Sequence, residues 1–549
     1  MHAVAEDPGA FPTLDAAQIA ALEAVGTRRR VEAGELLYRQ GDAAYDFYVV
    51  LSGAIDIVIG SGADEEVIAR HGPGRFLGEL NLLTGLRVFV TARVTEPGEV
   101  LVVPAAPLRH IIATQPGLSD VILAAFIARR TVLLSGAVSS IRVIGSRFSP
   151  QTGAIREFLS RSRIPHAWLD ADRDAEVEGL LREFAVESND LPVVIAMGSL
   201  LRGPTVGELA EFLGITVANL PDRCFDLVVV GGGPAGLAAS VYGASEGLST
   251  LGVEALAVGG QAGSSSRIEN YLGFPTGISG GDLTQRALVQ AEKFGAALTS
   301  PCAATGLREH AGHLVVRLAD GTDVAGRAVI VASGARYRRL DATRLDQFEC
   351  KGVYYAATEA EVRQCAPAPV VVVGGGNSAG QAALFIAESG SPVTIVIRRP
   401  DLNDGMSRYL VDRIVEHPRI DVRTSTHVAE LEGGDELERV VLADPDGSTV
   451  VACGGLFSFI GADPASEWLS GCAVLDEHGF VVTDRALTGD QLDERWHALG
   501  RAPLPFETSH PGLFAVGDVR SGSTKRVAAA VGEGSAAVRS VHEYLAFAR

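Results

Sequence analysis

Two runs of valine, each closed by three consecutive glycines, constrain the fold of this chain more than any other feature. The first reads Val228-Val229-Val230-Gly231-Gly232-Gly233-Pro234-Ala235-Gly236. A buried strand feeds a tight turn and a helix, and Gly231, Gly233 and Gly236 let backbone amides approach a pyrophosphate at the helix N-terminus. About eighteen residues on stands Glu254, near the spacing expected of an acid that binds a ribose. The second run reads Val371-Val372-Val373-Gly374-Gly375-Gly376-Asn377-Ser378-Ala379, with Ala379 where only close packing of helix on strand is required. No acid follows at its ribose position. The strand Val393-Thr394-Ile395-Val396-Ile397 ends instead in Arg398-Arg399, and an arginine pair there forms charge-assisted bonds to a 2′-phosphate, favouring NADPH over NADH. Gly374, Gly376, Ala379, Arg398 and Arg399 are therefore the candidate residues for that coenzyme. Strand, spacing and ribose determinant agree twice, which implies two dinucleotides, one giving electrons and the other taking them.

The composition agrees. With 63 glycines, 47% hydrophobic residues and only 6% aromatics, the chain suits α/β layers closed by glycine-rich turns. Its 549 residues imply three or four domains at roughly 150 residues each. A formal charge of −20 with no basic block opposes binding to a polyanion, so no nucleic acid partner is expected. Apolar stretches such as Val121 to Ala128 and Ile141 to Ile144 fall short of the ~20 residues that span a bilayer, and the N-terminus lacks a charged region followed by an apolar one. No membrane partner is expected, and the chain reads as cytoplasmic. Cys224, Cys302, Cys350, Cys365, Cys453 and Cys472 show no CxxC spacing, so they suggest neither a metal site nor a local redox pair.

Three blocks carry resemblances. In the first, Val31-Glu32-Ala33-Gly34-Glu35, Phe47-Tyr48-Val49-Val50-Leu51-Ser52-Gly53 and Phe76-Leu77-Gly78-Glu79-Leu80 occur in order, and residues 1–137 resemble the cyclic nucleotide-binding domain family, a β-roll with flanking helices. The resemblance implies that Gly78 and Glu79 face the ribose of a cyclic nucleotide effector and that an arginine some residues later pairs with its phosphate. Val88 stands at that arginine's place, with Arg87 one residue earlier. A shift of one residue on a pleated segment turns a side chain to the other face unless a bulge re-aims it. A retained anion or nucleotide site and a pocket kept only for packing both remain open.

In the second block, residues 138–219, Ile141-Arg142-Val143-Ile144-Gly145-Ser146, a helix over 153–161 and Asp190-Leu191-Pro192-Val193-Val194-Ile195 resemble the thioredoxin/glutaredoxin family, which implies a cis-proline at Pro192. Ser149-Pro150-Gln151-Thr152 stands where that family has Cys-x-x-Cys, and hydroxyls form no disulfide, so the block implies docking or spacing without thiol exchange.

The third block holds both glycine runs together with Gly259-Gly260-Gln261-Ala262-Gly263, Ile268-Glu269-Asn270-Tyr271, Ala332-Ser333-Gly334-Ala335 and Gly512-Leu513-Phe514-Ala515-Val516-Gly517-Asp518-Val519. It resembles low-molecular-weight thioredoxin reductase along its full length. The resemblance implies a split FAD domain, residues 220–340 and 457–549, around an inserted NAD(P)H domain, residues 341–456. It assigns Gly231, Gly233, Gly236, Glu254, Gln261, Asn270, Gly517 and Asp518 to FAD, and a homodimer to the assembly. The fold class expected is thus multidomain α/β: an N-terminal β-roll, a central thioredoxin-like domain and a C-terminal reductase with Rossmann-like FAD and NADPH domains.

One departure decides the expected function. Aligning Gly352-Val353-Tyr354-Tyr355 places Ala356-Ala357-Thr358-Glu359 at the family's Cys-Ala-Thr-Cys disulfide, so both redox cysteines are absent. Cys365 is the nearest thiol and reads as a core group. No residue is singled out as catalytic, because flavin and nicotinamide carry the chemistry. The expectation is an NADPH-dependent FAD oxidoreductase passing electrons directly to an acceptor protein or small molecule, as the family's disulfide-free members do with ferredoxin-type proteins and low-molecular-weight disulfides. A sensor with negligible turnover and a true thioredoxin reductase are the alternatives.

Overall fold

The computed structural model of the chain describes residues 9–547 apart from 61–64, 80, 135–140, 175–176, 185, 218–219, 221–222, 266, 350, 356, 358 and 435. Leu80, Cys350, Ala356 and Thr358 of the motifs above lie outside the described residues. The chain divides into two compact units, one of Met1–Arg223, Ser240–Ala257 and Leu288–Ala303, the other of Cys224–Ala239, Val258–Ala287 and Ala304–Arg549.

In the first unit the strands Phe47–Ile59 and Thr91–Val103 pair antiparallel, flanked by Glu66–His71 and Thr27–Val31, and form the β-roll. One face of these strands is apolar, and Phe47 and Phe76 pack on Ile112, Ile122 and Phe126 from the helices Ala105–Thr114 and Pro116–Leu134. Val289 joins the same core. Residues 141–202 then form a four-stranded sheet in the order Ser199–Arg202, Val193–Ala196, Ile141–Gly145, Ala167–Asp170. The central strand is parallel to Ala167–Asp170 and antiparallel to Val193–Ala196. The helix expected over 153–161 begins earlier, at Pro150, because the Ser149 hydroxyl caps the Thr152 amide and proline is well placed in a first turn. The Leu191–Pro192 peptide is cis, as expected.

In the second unit the first valine run lies in the strand Cys224–Val230, parallel to Asp323–Val331, which also pairs with Leu513–Ala515. The second lies in Val370–Val373, at the centre of an all-parallel sheet ordered Val353–Tyr354, Gly455–Ser458, Val370–Val373, Val393–Val396, Ile420–Arg423. A parallel central strand is buried on both faces, which accounts for unbroken valine in place of alternation. The strand Gly455–Ser458 belongs to this nucleotide-side sheet, so the return to the flavin side follows Ser458; the boundary expected at 457 cuts through a strand. Among the described residues no single helix is long and apolar enough to cross a membrane.

Candidate functional site

The first glycine cradle is locked by the protein's own backbone. Gly231 has φ +114°, and a Cβ there would sit 2.1 Å from the Ala332 carbonyl oxygen. A Cβ on Gly236 would sit 1.8 Å from the Gly231 oxygen, so the helix Pro234–Ser245 can lie this close to its strand only without a side chain. At Gly233 the nearest atom is the Gly260 Cα, 3.7 Å away, and the Gly259 amide donates to the Gly232 oxygen at 2.8 Å. The Gln261 side-chain amide donates to the Ala335 oxygen. Gly517, at φ +71°, approaches Ala235 at the start of the same helix. Beside it the half-buried Asp518 carboxylate has no hydrogen-bond donor among the described residues, and burial raises its pKa against the pull of Lys525. Asn270 is exposed, and its neighbour Glu269 accepts from Arg413 at 2.9 Å. Glu254 ends the strand Thr250–Val253 in the first unit, where its carboxylate accepts from the Leu256 amide at 3.1 Å.

Helix amides that suit phosphate and a carboxylate that can accept from hydroxyls are the donor and acceptor set a flavin dinucleotide requires. Glu533 holds this arrangement and was not singled out from sequence. Its carboxylate accepts from the Gly517 amide at 2.7 Å, Arg520 Nη2 at 2.7 Å and the Ser523 hydroxyl at 2.9 Å. Burial opposes its charge, and these bonds overcome that cost and lower its pKa.

The second cradle differs in who needs its glycines. A Cβ on Gly376 would meet nothing within 4 Å, and the helix Asn377–Glu388 that follows has no side-chain cap. Its first amides are left for an anion. Ala379 is fully buried, a packing position. Arg398 is exposed and makes no ion pair among the described residues, whereas Arg399 Nη1 donates to the Asp404 oxygen at 3.0 Å and braces the turn there.

No sulfur chemistry accompanies these cradles among the described residues. Ala357 is buried, and nothing is described of the Glu359 side chain. Cys365 is 5% exposed and packs against Gly455, and burial pushes its thiol up to about 11; Cys453, fully buried, rises to about 12. Neither supplies thiolate near neutrality.

The β-roll brings Gly78 and Glu79 to the wall of a half-open pocket but sends Arg87 elsewhere. Arg87 Nε donates to the Phe212 oxygen at 2.6 Å, Nη1 donates to the Gly41 oxygen at 3.1 Å, and the guanidinium lies 5.7 Å from the Phe212 ring centroid. Assigning Arg87 to a cyclic phosphate is thereby corrected. Residues 85–90 lie outside any strand, so no pleat sets the direction of Arg87; the Phe212 and Gly41 oxygens hold it at the helix Val206–Leu213, while Val88 is fully buried. Arg87→Ala is expected to lower stability by about 1–3 kcal/mol, the loss of charge-assisted bonds, without changing flavin content. Urea unfolding checks this; an unaltered midpoint would show that the clamp carries no stability.

Residues 225–534 match the family described as pyridine nucleotide-disulphide oxidoreductase, and residues 28–115 match the cyclic nucleotide-binding domain. The chain belongs to the pyridine nucleotide-disulphide oxidoreductase family and carries a cyclic nucleotide-binding domain N-terminal to that region. Within that class its relatives are thioredoxin reductases. It is 30% identical to thioredoxin reductase from Listeria innocua over 342 residues, covering 59% of this chain and 95% of the relative. It is 32% identical to that from Streptomyces clavuligerus over 324 residues, covering 58% and 94%. Among solved structures it resembles Lactococcus lactis thioredoxin reductase with a TM-score of 0.53 at 28% identity, over 59% of this chain and 99% of that one. The T. acidophilum enzyme gives 0.53 at 27% identity, over 58% and 98%. The protein is a thioredoxin reductase-like flavin oxidoreductase, and FAD and NADPH are the cofactors of that group.

Proposed function

We propose that this protein is an NADPH-dependent reductase whose electrons leave the flavin directly for an external acceptor, either a ferredoxin-type protein or a small disulfide. The observation that carries the proposal is the sequence Ala356-Ala357-Thr358-Glu359 at the place of the redox disulfide, with Cys365 packed as a core thiol. When bound, FAD would supply the two-electron exchange with the coenzyme and the onward transfer, as a pair to one disulfide or singly to two ferredoxin-type proteins. The chain's own residues bind and orient. The Gly231–Gly236 turn and the Pro234–Ser245 helix start receive the flavin nucleotide's pyrophosphate, Asp518 accepts from its hydroxyls, and Glu533 keeps Gly517 and Asp518 in place. Gly374, Gly376 and the first amides of Asn377–Glu388 receive the coenzyme's pyrophosphate, and Arg398 and Arg399 its 2′-phosphate. Residues 138–219 are read as a thioredoxin-like spacer; the strand order and the hydroxyl residues at its first helix support this. The β-roll is read as an effector domain, for which its family implies a cyclic nucleotide.

Stopped-flow mixing with NADPH tests the proposal. The flavin should bleach within a turnover time, alkylating the thiols beforehand should leave that rate and acceptor reduction intact, and thioredoxin should not be reduced. Turnover that iodoacetamide abolishes would overturn direct exit, and a flavin that stays oxidised would favour a sensor.

A further inference from the structure

We propose that Glu269 and Arg413 are a positioning pair for hydride transfer, their ion pair fixing the angle at which the coenzyme cradle faces the flavin turn. The proposal rests on reading the chain as an NADPH-dependent reductase, in which NADPH gives a hydride, two electrons with their proton, to oxidised FAD. The coenzyme-side sheet carries its own apolar cores, both drawn from residues between Leu340 and Ile460. The chain enters and leaves this body through the strands Ala335–Tyr337 and Ala462–Pro464, which pair antiparallel over three residues each. So short a two-stranded ribbon resists twisting weakly, and it sets the distance between the cradles better than their mutual angle. The angle is left to side chains that meet on the facing surfaces.

Glu269 stands on a loop that moves with the flavin turn. Ile268 donates to the Ile278 oxygen at 2.7 Å and accepts from the Ile278 amide at 3.1 Å, and the Gly280 amide donates to the Ser265 oxygen at 2.8 Å. A Cβ on Gly280 would lie 1.7 Å from the Ala262 oxygen, so the loop is packed directly on the Gly259–Gly263 segment that holds Gly232. From this base the Glu269 carboxylate accepts from Arg413 Nη1 at 2.9 Å, with Arg267 Nε 3.5 Å away. Arg413 lies on the helix Arg408–Glu416, which is tied to the coenzyme helix Asn377–Glu388 near both ends. The Ser407 amide donates to Asn377 Oδ1 at 2.7 Å, Arg413 Nη2 donates to Glu388 Oε1 at 3.3 Å, and Leu410 and Ile414 share a core with Ala383 and Ala387. Asn377 directly follows Gly376, so a rotation of this helix pair is a rotation of the cradle. The two guanidinium nitrogens of Arg413 therefore grip both sides, and a planar fork between two carboxylates fixes direction as well as distance. The side chains of Arg413 and Glu269 are 40% and 22% exposed, which limits the pair to an effect of a few-fold.

Stopped-flow bleaching of the full-length holoprotein by saturating NADPH and hydrogen exchange of the same protein without NADPH test this together. Glu269→Gln and Arg413→Gln should each lower the bleaching rate constant about two- to fivefold and leave the Kd for NADPH unchanged, with flavin content reporting an intact fold. The double variant should bleach no more slowly than Arg413→Gln alone, because the second substitution removes a bond already broken. In hydrogen exchange, residues 267–279 and 408–416 should both exchange about two- to fivefold faster in each single variant. A wild type that does not bleach would strike the reductase reading alone, since exchange reads the contact without turnover. Exchange unchanged in either segment, losses that add in the double variant, or a fall confined to coenzyme affinity would overturn the proposal.

Discussion

Gly236→Ala is expected to purify without flavin colour and with a lowered melting temperature. The added Cβ would stand 1.8 Å from the Gly231 carbonyl oxygen, and that oxygen belongs to a turn whose Gly231 is itself held 2.1 Å from Ala332 by the same criterion. Neither backbone can yield independently. Forcing one methyl into such a contact costs about 1–3 kcal/mol in stability. Displacing the turn also removes the helix-start amides from the pyrophosphate, and losing two charge-assisted bonds weakens flavin binding on the order of a hundredfold or more. Gly376→Ala is the matched control. Its Cβ meets nothing within 4 Å of the protein, so the variant should stay yellow and stable while its KM for NADPH rises. The ratio of visible flavin absorbance to protein absorbance decides the matter, and a Gly236→Ala protein as yellow as the wild type would refute the assignment of this cradle.

Replacing Arg398 and Arg399 together by alanine is expected to raise the KM for NADPH steeply and leave that for NADH nearly unchanged. Each guanidinium bond to a 2′-phosphate is worth about 1.5–3 kcal/mol, roughly 10- to 150-fold. The two residues should not contribute equally. Arg398 is exposed and has no ion pair among the described residues, so it can be given wholly to the phosphate, while Arg399 already holds the Asp404 oxygen. The Arg398→Ala variant should therefore lose preference with its fold undisturbed, and Arg399→Ala should also loosen the turn at Gly405, 3.3 Å from the same guanidinium nitrogen by its added Cβ. Steady-state constants for both coenzymes across the single and double variants test this. Equal use of NADH and NADPH by the wild type would remove the basis for the assignment.

Both cradles were legible in the sequence because each is a local object. Strand, turn and helix follow one another within about ten residues, a turn with φ above zero favours glycine, and a sub-van der Waals approach such as that at Gly236 excludes any side chain. The missing disulfide was legible for the same reason, since it needs only the identity of residues 356 and 359. What sequence could not supply was where side chains go once distant segments meet. Arg87 lay one place from the phosphate arginine and could have faced either way; its partner Phe212 is 125 residues off, and that contact took it out of the pocket. Glu533 stands on the C-terminal helix Val527–Phe547 with no motif of its own, and packing alone brings it to the Gly517 amide. The domain boundary read at 457 cut a strand, and the hydrogen bonds of Gly455–Ser458 to Val370–Val373 assign all of it to the coenzyme-side sheet. Glu79 meets Arg130 at 3.9 Å only because the helix Pro116–Leu134 packs on the β-roll. Short-range backbone sterics are written in consecutive residues, so the sequence by itself determined the two nucleotide cradles. Burial, charge pairing and side-chain direction depend on partners from remote parts of the chain, and those were decided by the tertiary structure.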